Sequence, residues 1–347
     1  MRLSFIQLLI FLCIAQNINS NSVDNILESD HHFQSVYTSI KQTLDKFNRP
    51  FTLLDIGAHN GQYSFRIARD YDSVCVMLED NAELLNICLL NNVENVILLN
   101  KNILFDDLKR LSECEQFDVI LALDIQNQFP NNWQEILNIL KRMGDLIIIK
   151  DPDAQKENRT ISTLLLISQE KHSLMRKLWL LPPTNSQDQK HIIHSNYNEK
   201  VLEKRILRPI NKYLLQQTDK NGNLVASEAF FGSYPMRKIT PWIPGINLIT
   251  FKMLCGSYPT ASQMIENFKK LSHTQHSDWV PGNIVVQGKK LSLIDFDDPT
   301  LGHREQQQCP QEIFEFVTKL ITTNAPSQVQ GFFEPKRKDK SKGRKRK

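Results

Sequence analysis

A short apolar run that breaks into a glycine-bounded turn constrains this chain more than any other feature. Phe51-Thr-Leu-Leu-Asp-Ile56 is apolar at nearly every position, as a strand buried on both faces of a parallel sheet must be. Gly57-Ala-His-Asn-Gly61 follows at once, and Gln62–Arg69 then shows helical spacing through Tyr63, Ile67 and Ala68. Gly57 and Gly61 let the backbone turn tightly and come close to a ligand, while the amides that open the helix face it. A second strand, Val74–Leu78, ends in Glu79, an acid placed to accept hydrogen bonds from the two hydroxyls of a ribose.

The pattern then continues. A helix is predicted over Ala82–Leu90, a strand at Val96–Leu99, a strand at Phe117–Leu123, a helix over Trp133–Lys141 and a strand at Gly144–Lys150. Strands alternating with helices at this spacing predict an α/β fold with a doubly wound parallel sheet. Ligands of such sheets lie beyond the carboxyl ends of the strands, at the point where strand order reverses. Asp55–Gly61, Glu79 and Asp124 are therefore expected around one crevice.

Leu53-Leu-Asp-Ile-Gly-Ala-His-Asn-Gly-Gln-Tyr-Ser64 resembles the cofactor motif of class I S-adenosylmethionine-dependent methyltransferases, and Phe117–Phe129 followed by Gly144–Pro152 is similar to that family's fourth and fifth strands. The resemblance covers about Phe51–Pro152. It implies a Rossmann-like sheet and S-adenosylmethionine as cofactor. Asp55, Gly57 and Gly61 would surround its methionine part, Asn60 would also bind the cofactor, Glu79 would bind the ribose, and Asn102 would lie near the adenine. Asp124 would lie at the mouth, near the sulfonium or the substrate. A weak oxygen nucleophile needs a base, for which His59 and Asp124 are the candidates. Their simpler readings are a turn residue and a strand-end hydrogen-bond acceptor. No GxGxxG triplet appears, which argues against a nicotinamide dehydrogenase.

After Pro152 the alternation stops. Ile161–Trp179 has the spacing of a helix with a basic face, Leu181–Gln189 reads as a loop, and His191–Ser195, Lys200–Leu207 and Lys212–Gln217 read as short strands. Asn221-Gly222 is a hairpin signal. A helix over Ala261–Leu271 leads into His276-Ser-Asp278-Trp-Val-Pro-Gly-Asn283, a strand, a turn and Ile294-Asp295-Phe-Asp. This resembles the catalytic loop and metal-binding acid of aminoglycoside- and choline-kinase-like phosphotransferases, and Trp242–Leu248 looks like that group's hinge. The resemblance implies a smaller α+β kinase-like module, with Asp278 as base and Asn283 and Asp295 holding Mg²⁺ of Mg-ATP. No glycine-rich phosphate loop and no clear Lys–Glu pair precede it; Lys204 and Lys212 are the available cations.

The remaining segments concern placement and partners. Met1–Ser20 has a basic start and a short apolar stretch, the shape of a secretory leader or an N-terminal anchor. Beyond it stand Cys75, Cys88, Cys114, Cys255 and Cys309, an odd number without CxxC spacing, so neither a disulfide framework nor a zinc site is expected. Asn158-Arg-Thr is a glycosylation sequon that matters only if the chain is exported. The net charge of +4 divides into +8 on Pro335–Lys347 and −4 on the rest, so the tail alone invites polyanions. The expected organisation is a leader (1–20), a methyltransferase domain (21–152), a connector (153–189), a kinase-like module (190–333) and a basic tail (334–347). Export and a cytosolic cofactor pull against each other. The competing functional classes are a methyltransferase with an unidentified acceptor, a phosphotransferase, and a secreted binding protein with both sites inactive.

Overall fold

The computed structural model describes residues 31–123, 125–150, 164–168, 173–175, 189–195, 198, 200–206, 228–230, 236–276, 278–294 and 307–323. Its first half runs α1 (His31–Leu44), β1 (Phe51–Ile56), α2 (Gln62–Asp70), β2 (Ser73–Glu79), α3 (Ala82–Asn91), β3 (Val96–Asn100) and α4 (Phe105–Cys114). It continues through β4 (Phe117–Ala122), α5 (Ile125–Gln128), α6 (Trp133–Met143), β5 (Gly144–Lys150) and β6 (Leu164–Ser168). The second half holds β7 (Ser173–Met175), β8 (Gln189–Ser195), β9 (Lys200–Ile206), β10 (Glu228–Phe230) and β11 (Met236–Pro241). Then come β12 (Ile246–Asn247), α7 (Leu248–Met253), β13 (Gly256–Tyr258), α8 (Ala261–Leu271), β14 (Ile284–Gln287), β15 (Lys290–Leu293) and α9 (Gln311–Thr322).

The main sheet has seven strands in the order β13-β3-β2-β1-β4-β5-β6. Strands β1 to β5 are parallel, and the two edges, β13 on β3 and β6 on β5, are antiparallel. Every residue of β1 and β4 is buried, which is why neither shows alternation in sequence. Their side chains divide between two cores. Leu54, Ile56, Ile120 and Ala122 face a cluster shared with α4 and α6, while Phe51, Leu53, Val119 and Leu121 face one shared with α1, α2 and α3. Helices thus cover both faces, the doubly wound α/β arrangement expected from sequence.

Within Ile161–Trp179 the described residues form strands and not the helix predicted from their spacing. Leu164–Ser168 is a strand, its Ile167 opposite Ile147 and its Leu165 opposite Ile149 of β5, and Ser173–Met175 is a strand paired with β8. A continuous apolar run fits a buried strand or a helix equally, and here the open edge of β5 decides. Lys212–Gln217, Asn221-Gly222, Asn158 and residues 1–20 lie outside the described residues. Among the described residues no helix is long and apolar enough to cross a membrane. Cys75 and Cys88 are buried free thiols, and burial pushes both up to about 12; they pack as small apolar groups.

The second half forms a five-stranded antiparallel sheet, β10-β11-β9-β8-β7, and a three-stranded one, β12-β14-β15. Residues 246–321 share their core with the main sheet: Ile246, Phe251, Phe268, Trp279, Val286 and Leu320 belong to the same cluster as Leu54 and Ile120. Besides β13, which extends the sheet along β3, the attachment includes the amino ends of the parallel strands. Gly245 N–H donates to Thr52 Oγ1 (2.8 Å) and Asn247 N–H to Glu115 Oε1 (2.9 Å). Lys289 N–H, in the β14–β15 turn, donates to Glu94 O (2.7 Å), just before β3.

The centre of this attachment is ionic. Asp118, near the start of β4, accepts Lys200 Nζ of β9 (2.9 Å) and Arg49 Nη2 (2.8 Å) on one oxygen and Thr52 N–H (2.7 Å) on the other. Lys200 is buried, with Trp242 beneath its ammonium at 4.6 Å and Asp145 at 3.9 Å. Burial alone would raise the Asp118 carboxyl, but Lys200 and Arg49 hold it below the ordinary carboxylate range.

Glu115 beside it behaves in the opposite way. Burial pushes it up to about 7, against the hydrogen bonds from Thr250 and Asn247. A carboxyl whose folded pKa is raised favours the folded state fully below its unfolded value, and that contribution is lost as pH rises through about 7. Between pH 5 and pH 8 the chain should therefore lose stability on the order of 3 kcal/mol from this residue. Glu115→Gln keeps an acceptor for Asn247 and has no charge to bury. The gap between urea midpoints at the two pH values should narrow in the variant, Asp55 still titrating in the same window; an unchanged gap would show that Glu115 is not a titrating group there.

Candidate functional site

The carboxyl ends of β1, β2 and β4 meet at the reversal of strand order, with Asp55 paired to Met77 on one side and Leu121 on the other. Here the chain leaves β1 through Gly57 (φ 72°), His59 (φ 55°) and Gly61 (φ 74°), three left-handed residues in five. Only glycine takes such angles without strain, and Gly61 has a second reason. A Cβ there would lie 2.6 Å from Phe65 and 3.0 Å from Met77 Sδ, inside the packing of α2 on β2. Asn60 Oδ1 accepts Gln62 N–H at 3.3 Å, and Gly61 N–H closes onto Ala58 O at 2.8 Å, so the turn is held from within. The first turn of α2 carries no acidic side chain, which leaves its positive end open to an anion.

Glu79, the last residue of β2, turns its carboxylate back onto this loop. Oε2 accepts His59 N–H at 2.8 Å and Oε1 accepts Asp80 N–H at 3.0 Å. Each oxygen can take a further donor. Asp55 lies deeper, 4% exposed, with Ser64 Oγ donating to it at 2.7 Å. Burial raises its pKa, the Ser64 bond lowers it, and the Glu79 charge raises it again, to about 6. Asp55 thus ties the end of β1 to α2.

The structure gathers Asp55, Gly57, His59, Asn60, Gly61 and Glu79 at the carboxyl ends of the central strands β1 and β2. Asn102 is exposed, two residues past the end of β3. Asp124 lies outside the described residues. Two residues with no role assigned from sequence also belong here. Ser64 closes the motif and holds Asp55, which a hydroxyl on the first turn of α2 could have suggested. Gln128 of α5 comes against Gly57, a contact between residues seventy-one positions apart that no local spacing announces.

The His276–Asn283 loop is a separate constellation, on the hairpin that docks at the amino ends of the sheet. His276 is buried; its Nδ1 accepts Asp278 N–H at 3.0 Å, so Nε2 carries the proton and donates to Ile294 O at 3.0 Å. The ring thereby ties the loop to the end of β15. Asn283 donates through Nδ2 to Asp278 O at 3.0 Å, while its Oδ1 is buried and has no partner among the described residues. Asp295 lies outside them. Among the described residues no group of three or more His, Cys, Asp or Glu side chains is arranged to hold a metal.

No family model matches the chain, and no curated protein sequence matches it. Among solved structures it is similar to WbdD co-crystallised with the kinase inhibitor LY294002, at 14% identity over 76% of this chain and 73% of that one, TM-score 0.29. It is also similar to the plantazolicin methyltransferase BpumL in complex with SAH, at 18% identity over 39% of this chain and 54% of that one, TM-score 0.30. A third is a SAM-dependent methyltransferase from Thiobacillus denitrificans in complex with S-adenosyl-L-homocysteine, at 14% identity, 37% and 54% coverage and TM-score 0.28. The chain spans about half the length of these two methyltransferases. At these scores the likeness assigns no activity, substrate or partner.

Proposed function

We propose that the chain is an S-adenosylmethionine-dependent methyltransferase. The observation that carries this reading is the pairing of Glu79 with the glycine turn: a carboxylate fixed by two backbone N–H groups, each oxygen still able to accept, beside a left-handed loop and an uncompensated helix start. A ribose diol supplies two donors for the first, and a carboxylate suits the second. The cofactor, when bound, supplies a methyl group made electrophilic by the sulfonium. The chain's own residues would bind and orient it: Glu79 would hold the ribose, the Gly57–Gly61 turn would receive the rest of the ligand, and Asp55 with Ser64 keeps that turn in place. His59 and Asp124 remain the candidates for moving a proton from an oxygen acceptor. The acceptor itself is unidentified.

A specific observation favours a second activity. The buried, unpartnered Oδ1 of Asn283 is the kind of hard oxygen that a divalent cation takes, and Asp278 and Asp295 are its expected companions in a phosphotransferase site using Mg-ATP. Calorimetric titration of the protein with S-adenosylmethionine and, separately, with Mg-ATP tests both readings. Micromolar binding of the first supports the methyltransferase. Its absence, beside clear Mg-ATP binding, would make the His276–Asn283 loop the working site.

A further inference from the structure

The place that a Cβ of Gly57 would occupy is taken by the end of Gln128: such a Cβ would lie 1.9 Å from Nε2 and 3.1 Å from Cδ. Gln128 reaches it from α5, which follows β4, on the side of β1 opposite to Glu79. The short helix is anchored. Ile125 is 3% exposed, Phe129 packs against the core of the sheet, and Phe129 N–H donates to Ile125 O at 3.0 Å. Gln128 itself is exposed, and among the described residues its carboxamide has no hydrogen-bond partner. A carboxamide offers two N–H donors and an acceptor oxygen to a ligand.

An exposed glutamine gains most by extending into water, yet this one lies on the glycine turn. We infer that Gln128 is a contact residue for the ligand bound at that turn, its carboxamide meeting the ligand's charged amino-acid end. The inference rests on the S-adenosylmethionine reading above. Glu79 takes the hydroxyl-bearing part on the β2 side. The anionic end is drawn to the start of α2, and the NH₂ of Gln128 stands over the same loop as a neutral donor. Gly57 then serves two neighbours, because its missing side chain lets both the ligand and the carboxamide approach the backbone.

The test titrates the full chain, wild type, Gln128→Ala and Gln128→Glu, with S-adenosylhomocysteine and with methylthioadenosine, which keeps the adenine and ribose but lacks the amino-acid end. Gln128→Ala should weaken the homocysteine compound about tenfold and leave methylthioadenosine unchanged. Gln128→Glu should weaken the former further, since it sets one carboxylate against another. Equal affinities in all three proteins, equal weakening of both ligands, or tighter binding in Gln128→Ala would each overturn the contact role while leaving the methyltransferase reading intact. A wild type that binds neither ligand would overturn both.

Discussion

Asp118→Ala should destabilise the folded chain by about 3–5 kcal/mol, the largest single effect expected here. Among the described residues the substitution leaves buried Lys200 with Asp145, 3.9 Å away, as its one counter-charge, and it strips Thr52 N–H of its acceptor. Burying an ammonium without a close partner costs more than the lost attraction alone. Urea unfolding followed by tryptophan fluorescence reads the effect, because Trp242 lies under the Lys200 ammonium. The double variant Asp118→Leu, Lys200→Met removes both charges of the pair and should recover the part of the loss that comes from the stranded ammonium, while Thr52 N–H and Arg49 lose their acceptor in either variant. A loss below about 1 kcal/mol in Asp118→Ala would show that water reaches the pair, as in ordinary surface salt bridges.

The second large effect is on binding. Glu79→Ala should weaken S-adenosylmethionine about 100-fold, the equivalent of two hydrogen bonds to a charged acceptor. Glu79 is only partly buried, so stability should move little, and circular dichroism melting separates lost binding from lost fold. Glu79→Gln keeps one acceptor oxygen and should fall between wild type and Ala. Unchanged affinity in Glu79→Ala would remove the ribose from this carboxylate and with it the main support for the proposed function.

Most of the parallel sheet was legible because each strand is buried on both faces and each turn is marked by glycine or by a polar break. Phe51–Ile56 and Gly144–Lys150 match the reading residue for residue, and Ala261–Leu271 is the expected helix. Helix α1 was missed, although Phe33, Val36, Tyr37, Ile40 and Leu44 carry a clear helical stripe and all are buried. Ile161–Trp179 was misread because a run of leucines fits either period, and only the vacant edge of β5 selects a strand.

The candidate site divides along the same line. Its glycines, Glu79 and their order belong to one local strand–turn–helix–strand unit, whose backbone angles and burial follow from residue type, so the amino-acid sequence alone was enough to place them. Long-range partners required the folded chain: Gln128 against Gly57, Lys200 against Asp118, and Asn247 against Glu115. A buried lysine and an exposed one look alike in sequence. What separates them is the energy of removing a charge from water, and that is settled only when another part of the chain brings the counter-charge to meet it.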